Sequence, residues 1–280
     1  MAALYAGKQA QSGTLPGQEQ ERVIETELLD GMAGAGATGW GALLVAPFAG
    51  SFLGVVVRRL PEGRSIAWVR SRCEYCGAGL RARDLVPLYS WLAARGRCRY
   101  CSHPLGWFYP GIELAALAIA LVALAADGGD ETWLDCLFGW WLLALGWIDL
   151  HTWLLPDALT LPLIIAGLAA SFMFDPDQLV NRALGAALGY AGLMTIAALY
   201  RALRGREGLG GGDAKLLAAS GAWLGAAGLP EVILLAALSA LTAAGCLRLA
   251  GVRLSIHSAL PFGPFLALAT WVLWLFSPIG

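Results

Sequence analysis

Long stretches of uncharged, mostly apolar residues dominate the chain and are separated by shorter polar segments. The longest covers residues 33–57, which contain no charged side chain. At about 1.5 Å per residue, a helix of this length can cross the ~30 Å hydrocarbon core of a bilayer. Similar runs predict further spans at residues 109–126, 133–148, 158–174, 183–200, 216–229, 232–247 and 259–276. The pattern therefore predicts an all-α polytopic membrane protein with about eight transmembrane helices.

Composition supports a membrane protein and limits the classes of partner that we expect. Of the 280 residues, 58% are hydrophobic and 14% are charged, whereas soluble domains carry roughly 25% charged residues. The net charge of −1 shows no basic excess, so we expect membrane lipid and no nucleic acid as a partner. Residues 1–32 are polar, which predicts a mostly disordered tail and no signal peptide.

Lysine and arginine are concentrated in a few loops. Ten of the 19 lie between residues 58 and 99, and most of the others lie in 201–215 and 248–253. The positive-inside rule places these loops in the cytoplasm and predicts that both termini are periplasmic. The predicted parts are a polar tail at 1–32, a first transmembrane helix at 33–57, a cytoplasmic cysteine domain at 58–108 and a seven-helix membrane domain at 109–280.

The cytoplasmic insertion contains two Cys-x-x-Cys pairs. Cys73 and Cys76 form the first pair and Cys98 and Cys101 the second, with 21 residues between them. Four thiolates with this spacing suit one tetrahedral structural Zn²⁺ ion, and a cytoplasmic location argues against disulfides. A redox pair or unmetallated thiols are the alternatives.

Other residues have lesser expected roles around this zinc-knuckle domain. Gly77 and Gly79 are expected to allow the tight turn after the first pair. His103 is surplus to a four-cysteine site. Cys136 and Cys246 lie within predicted spans, where we expect them to pack as small apolar residues.

Two aspartates lie beside predicted spans on the cytoplasmic side. Asp149 follows an apolar run, and Asp213 closes the sequence Gly208-Leu-Gly-Gly-Gly-Asp213. Acids at membrane depth are costly and point to function. Two carboxylates around one water can hydrolyse a peptide, one taking the water proton while the other, protonated, polarises the carbonyl. The pair is a candidate catalytic dyad. For Asp213, a simple loop with a helix cap is the alternative.

Helix polarity predicts different roles for the two acids. Asp213 is expected at an N-cap, where the positive end of a helix favours the carboxylate, and Asp149 at a helix C-terminus, which disfavours it. We therefore predict that Asp213 is the base and Asp149 the acid. Asp157 is expected to cap the next span. Glu113 is either an interfacial residue or a partner for a cytoplasmic arginine.

From residue 50 to the last span, the chain resembles the type IV prepilin peptidase family of GxGD aspartyl proteases. The segments that carry the resemblance are Gly50-Ser-Phe-Leu-Gly-Val-Val-Val57 with Arg59-Leu-Pro61, the two cysteine pairs, Arg95-Gly-Arg-Cys-Arg-Tyr-Cys101, Tyr109-Pro-Gly-Ile-Glu113, Asp149 with Leu155-Pro-Asp157, and Gly210-Gly-Gly-Asp213-Ala-Lys-Leu-Leu217. Two positions depart from the family pattern: Gly54 replaces an expected Asn, and Glu74 stands where Pro commonly follows the first cysteine.

The resemblance implies a function. Family members remove the basic leader from prepilins or pseudopilins at the cytoplasmic face of the bacterial inner membrane, and many then methylate the new N-terminus with S-adenosylmethionine. The resemblance matches Asp149 and Asp213 to the catalytic pair, and the four cysteines to a zinc-binding domain. The cytoplasmic segment has no glycine-rich nucleotide loop after a strand, so the sequence does not place the methyl-donor site.

Three other interpretations fit parts of the pattern. A transporter or channel would use the intramembrane acids as ion sites, although the inverted repeats typical of many such folds are not evident. A non-enzymatic assembly factor would bind pilin-like helices without cutting them. A peptidase that lacks methylation is the third.

Overall fold

A computed structural model of the protein describes residues 37–67, 70–127, 131–205, 210–252 and 260–276. The α-helices in these ranges are α1 (Ala37–Arg59), α2 (Tyr89–Ala93), α3 (Phe108–Asp127), α4 (Thr132–Thr152), α5 (Asp157–Phe174), α6 (Leu179–Arg204), α7 (Gly211–Leu224), α8 (Leu229–Leu249) and α9 (Gly263–Phe276). Extended pairing in the described ranges is limited to two isolated bridges, which confirms the all-α class. The predicted tail at 1–32 lies outside the described residues.

Within the described ranges, six helices are long and apolar enough to cross a membrane: α1, α3, α4, α5, α6 and α8. They confirm a multi-pass membrane protein and match six of the eight predicted spans. The other two predicted spans are helices α7 and α9, with 14 residues each. At about 1.5 Å per residue these helices are shorter than the ~30 Å hydrocarbon core, so their neighbours in the bundle must cover them.

Helix α7 is the most enclosed of these helices. Ala214 and every residue from Leu216 to Leu224 are buried, and α7 packs against α5, α6, α8 and α9. Protein rather than lipid therefore surrounds this short helix, which a membrane protein tolerates. The sequence predicted the span at 216–229, but the helix begins earlier, at Gly211. It ends at Leu224 because Gly225 adopts a φ of 78°, a left-handed conformation that favours glycine.

Close backbone contact fixes α7 against α6. A Cβ atom added to Gly185 would lie 2.6 Å from the carbonyl oxygen of Gly221. A Cβ atom added to Gly189 would lie 2.6 Å from the carbonyl oxygen of Leu217. Small residues at helix interfaces allow this approach within membranes. The position of α7 is thus set by backbone packing along its length.

Helix α9 connects two groups of helices. Helices α1, α3 and α4 pack against one another, α5 and α6 pack with α7, and α9 contacts both α4 and α7. The indole of Trp271 on α9 donates to the carbonyl oxygen of Asp135 on α4 at 3.1 Å. On its other side, the hydroxyl of Thr270 lies 2.6 Å from that of Ser220 on α7. Helix α9 therefore fixes the position of α4 relative to α7.

The cysteine segment between α1 and α3 is held against the helix ends by two contacts. Arg58 forms an ion pair with Glu74, and its guanidinium lies 4.2 Å from the ring centre of Phe108. The amide of Leu88 donates a 2.8 Å hydrogen bond to the buried carboxylate of Glu113. Glu113 therefore accepts from a backbone amide inside the protein, and this amide takes the place of the arginine partner that was one of its two predicted roles. Its other predicted role, as a residue at the membrane interface, stays a prediction.

The two departures from the family pattern both lie at this junction. A Cβ atom added to Gly54 would lie 2.8 Å from the ring of Tyr109. The guanidinium of Arg58 lies 5.0 Å from the centre of the same ring, and Glu74 pairs with Arg58. Gly54 thus allows α1 to pack closely against α3 beside this junction, and Glu74 ties the cysteine segment to α1.

Candidate active site and cysteine cluster

Asp149 lies in the last turn of α4 and is buried. Helix α4 ends at Thr152 because Trp153 adopts a left-handed φ of 58°. The Oδ2 atom of Asp149 accepts a 3.0 Å hydrogen bond from the amide of Gly263, the first residue of α9. This acid therefore lies at the negative end of one helix and at the positive end of another.

Asp213 lies in the first turn of α7. Gly210, and not Asp213, occupies the N-cap position, which corrects the sequence prediction. The amide of Gly210 donates to the Asp213 carboxylate, so this side chain reaches back to the N-cap as in half of a capping box. The two residues exchange hydrogen bonds, since the Asp213 amide donates to the Gly210 carbonyl at 3.2 Å.

The glycines before Asp213 differ in how tightly they are packed. A Cβ atom added to Gly212 would lie 2.9 Å from the Cβ of Leu155, which is buried in the segment after α4. A Cβ atom added to Gly211 would meet nothing within 4 Å. Close packing within this glycine run is therefore found at Gly212. It brings the start of α7 against the segment that follows Asp149.

Asp149 and Asp213 lie near enough for one charge to act on the other. The negative charge of Asp149 acts on the Asp213 carboxylate, and each carboxylate also accepts a backbone amide at the start of a helix. Sequence reasoning missed Gly263. The signal was Gly263-Pro264 at the start of the last span, since proline is favoured in the first turn of a helix.

This geometry alters the argument for the roles of the two acids. Helix polarity predicted a carboxylate at Asp213 and a disfavoured one at Asp149. For Asp213 the structure agrees with this expectation, because the residue lies in the first turn of α7. For Asp149 it differs, because the positive N-terminus of α9 also faces this acid. Helix polarity alone therefore no longer separates the two acids.

Asp157 has a structural partner on α7. Pro156 occupies the N-cap of α5, so the predicted capping role of Asp157 was wrong. Asp157 is the first helical residue, and its side chain forms an ion pair with Lys215. This ion pair joins the start of α5 to the first turns of α7, near Asp213 but outside the pair of acids.

The four predicted cysteines form one cluster. Their sulfur atoms all lie within 4.8 Å of one another, and Cys73 and Cys101 are 4.0 Å apart. Sulfurs around a tetrahedral zinc ion are about 3.8 Å apart, given Zn–S bonds of about 2.3 Å. All six cysteines are free. The cluster therefore fits a four-cysteine zinc site with small adjustments of the side chains.

Both cysteine pairs are built by the same backbone turn. The amide of Cys73 donates to Ala78, and the amide of Cys98 donates to His103 in the equivalent position. Gly77 has a φ of 69°, as predicted, and Ser102 takes the matching place in the second turn with a φ of 58°. The prediction for Gly79 was wrong, since it pairs with Arg72 without a positive φ. Two copies of one turn thus aim four sulfurs at a common centre.

The backbone also favours ionisation within the cluster. The amides of Tyr100 and Cys101 donate to the Cys98 sulfur and lower the pKa of Cys98 to about 7. A thiolate is the form that binds zinc.

The side chain of His103 and the remaining two cysteines do not belong to the cluster. His103 stacks on Tyr75 with ring centres 3.3 Å apart. Cys136 is buried, as predicted, whereas Cys246 lies on the exposed surface of the membrane-crossing helix α8.

Comparisons with known proteins agree with this arrangement. Residues 44–126 match the bacterial peptidase A24 N-terminal domain, and residues 136–245 match the type IV leader peptidase family. A prepilin leader peptidase/N-methyltransferase of Burkholderia pseudomallei (strain 1026b) is 43% identical over 253 residues, covering 81% of both chains. Proteins with the same name from Aeromonas hydrophila and Dichelobacter nodosus are 39% and 34% identical, covering 80% and 91% of this chain and 85% and 96% of theirs. No solved structure matches. The chain therefore belongs to the type IV leader peptidase family.

Proposed function

We propose that this protein is an aspartic endopeptidase that removes the basic leader from prepilins or pseudopilins, with Asp149 and Asp213 as its catalytic residues. The observation that carries the proposal is the meeting of these two acids at the ends of α4 and α7. The family and the names of the relatives supply the substrate class.

The mechanism follows from two carboxylates that share a site. Two like charges in proximity favour retention of one proton between them. Asp213 takes a proton from water as the water oxygen attacks the scissile carbonyl carbon. Asp149 donates its proton to the carbonyl oxygen. Collapse of the tetrahedral intermediate then breaks the C–N bond, and the leaving amine takes a proton from the pair.

The hydrogen bond from Gly263 gives Asp149 an orientation that suits this role. The Gly263 amide donates its hydrogen bond to Oδ2 of Asp149. The proton of Asp149 is then carried on Oδ1, the oxygen left to face the substrate carbonyl. Because a carboxylic acid accepts through its carbonyl oxygen while donating through its hydroxyl, this bond is compatible with an acid role. The division of roles thus rests on the orientation of the Asp149 carboxyl group.

The substrate fits the location of the two acids. A prepilin is an apolar helix preceded by a basic leader, so its helix can lie among the spans while the cleavage site reaches their ends. We propose that these ends face the cytoplasm in the bacterial inner membrane, with both termini periplasmic, as the loop arginines indicate. Labelling with an impermeant maleimide tests this topology: Asp177→Cys should react in intact spheroplasts, and Arg204→Cys only after permeabilisation.

The cysteine cluster is proposed to hold a structural Zn²⁺ ion through Cys73, Cys76, Cys98 and Cys101. Four protein ligands leave no open position for substrate, so the ion would supply folding energy and no chemistry at the acids.

We propose that the protein also methylates the new N-terminus with S-adenosylmethionine, as the names of its relatives indicate. Among the described residues, the extended pairing of the cysteine segment is limited to two isolated bridges, so the segment lacks the strand-to-helix glycine turn that holds nucleotides in other folds. The methyl-donor site is therefore assigned to no residues, and no step is derived through it.

Mass spectrometry of a prepilin incubated with the purified protein tests the function. The proposal predicts a product that has lost the leader at its junction with the apolar helix. An intact prepilin that copurifies with the protein would instead support an assembly factor. Addition of S-adenosylmethionine should increase the product mass by one methyl group, and an unchanged mass would identify a peptidase without methylation.

A further inference from the structure

A concave pocket on the cysteine segment is lined by positive charge. It has a volume of about 680 Å³, and its lining includes Arg95, Arg97, Arg99 and Ser102. We refer to it as the arginine pocket. Cys98 of the cysteine cluster also lines it, whereas Asp149 and Asp213 do not, and the proposed peptidase reaction does not use it.

Two of the arginines are available for a ligand. Arg99 forms an ion pair with Asp84 at 3.1 Å. Arg95 and Arg97 are exposed, and no carboxylate of the described residues lies within ion-pair distance of either. The pocket therefore carries two uncompensated positive charges beside the hydroxyl of Ser102.

The turn that bears these arginines is held in place. Gly96, between them, has a φ of 67°, and a Cβ atom added there would lie 2.9 Å from the indole of Trp91. Trp91 in turn donates to the carbonyl oxygen of Gly106 at 3.0 Å. The two guanidinium groups are thus presented by a fixed backbone, which lowers the entropy cost of binding.

The same contacts place the turn close to the membrane boundary. The carbonyl oxygen of Gly96 accepts a 2.8 Å hydrogen bond from the amide of Leu105. Leu105 is three residues before Phe108, where the membrane-crossing helix α3 begins, and three residues span at most ~11 Å. Trp107, between them, is 69% exposed, as is typical of tryptophans in the interfacial belt.

We propose that the arginine pocket binds the phosphate of an anionic lipid headgroup and so anchors the cysteine segment to the membrane surface. Guanidinium groups donate paired hydrogen bonds to phosphate oxygens, and the Ser102 hydroxyl adds a further donor. The negative surface of a membrane leaflet attracts such clusters. This inference does not depend on the proposed peptidase activity.

Native mass spectrometry of the detergent-purified protein provides the test. Dioleoyl-phosphatidylglycerol is titrated into wild-type protein and into the Arg95→Gln/Arg97→Gln double variant. Each arginine near an anionic surface contributes roughly fivefold, so the variant should bind about 30-fold more weakly. The matched control is Arg204→Gln/Arg248→Gln, which removes two exposed arginines from the last turns of α6 and α8 and should bind as wild type does.

Three results would overturn the proposal. The first is equal lipid binding by wild type and the Arg95→Gln/Arg97→Gln variant. The second is displacement of the bound lipid by an equal concentration of inorganic phosphate, since the occupant of the pocket would then be free phosphate. The third is loss of zinc from the variant, measured by elemental analysis, because the arginines would then serve to neutralise the thiolates.

Discussion

The amide of Gly263 donates a 3.0 Å hydrogen bond to Oδ2 of Asp149, so the first residue of α9 holds the acid at the end of α4. These residues are 114 positions apart in the chain. Because α9 also packs against α7, the helix that orients Asp149 also touches the helix that carries Asp213. Movement of α9 would therefore change the geometry of both acids.

Substitution of Gly263 by alanine should impair cleavage through Asp149. The added Cβ would lie 2.6 Å from Oδ2 and 2.9 Å from Cγ of Asp149, so the carboxylate must move. Displacements of about 1 Å in a catalytic group cost on the order of 100-fold in rate. Steady-state cleavage of a prepilin should show a fall of this size in kcat with little change in KM.

Gly245→Ala is the matched control for this variant, because a Cβ atom there would meet nothing within 4 Å. It should cleave as the wild-type protein does. Wild-type kcat in Gly263→Ala would show that the α9 contact does not position Asp149.

Gly211→Ala and Gly212→Ala should differ although the residues are adjacent. The alanine Cβ at 212 would lie 2.9 Å from the Cβ of Leu155, whereas the one at 211 would lie in open space. Overpacking of this kind costs about 1–3 kcal/mol and shifts the backbone, here one residue before Asp213. We expect cleavage to fall at least tenfold, roughly the rate equivalent of ~1.4 kcal/mol, in Gly212→Ala only. Equal initial rates for the two variants would contradict the packing argument.

The sequence predicted the long helices well because their signal is local. The span predicted at 232–247 corresponds to α8 at Leu229–Leu249, and the one at 158–174 to α5 at Asp157–Phe174. Helix α7 was displaced in the prediction because the span was taken from the uncharged run that begins after Lys215. In the structure the helix begins at Gly211, and close packing of Gly212 against Leu155 requires a residue without a side chain at that position.

The residues around the acids were harder to predict. The charge pattern placed Asp149 and Asp213 on one side of the membrane, but the contact of Gly263 with Asp149 depends on how α9 packs. No local pattern encodes such packing. Likewise, Glu113 accepts a hydrogen bond from Leu88 because the cysteine segment folds back over α3. The partners of Asp149 and Glu113 therefore depend on tertiary contacts, which motifs and charge patterns do not predict.

Loss of the Glu113 acceptor should loosen the cysteine segment. Glu113→Ala leaves the Leu88 amide without its 2.8 Å partner, and an unsatisfied buried group costs about 1–3 kcal/mol. Glu113→Gln keeps an acceptor oxygen and serves as the control. Limited proteolysis between α1 and α3 should be faster in the alanine variant than in the glutamine variant. Identical digestion of both would show that this contact does not dock the segment.

Purified protein should contain one zinc ion per chain, and Cys73→Ser should remove it, as measured by elemental analysis. Zinc affinity should fall more steeply with acid below about pH 7. The amides of Tyr100 and Cys101 lower the pKa of Cys98 to about 7, so below that pH one more proton competes with the metal. Full zinc occupancy in Cys73→Ser would contradict a four-cysteine site, and a pH-independent affinity would contradict thiolate ligation.

The assignment of the catalytic pair is tested most directly by the rate of leader removal in Asp149→Asn and Asp213→Asn. Asparagine keeps the size of each side chain and removes the proton chemistry. Asp157→Asn is the control, since it removes a third acid near the start of α7 whose partner is Lys215. We predict no detectable cleavage by either of the first two variants and near wild-type cleavage by the third. Cleavage at the wild-type rate by Asp149→Asn or Asp213→Asn would contradict the two-aspartate mechanism.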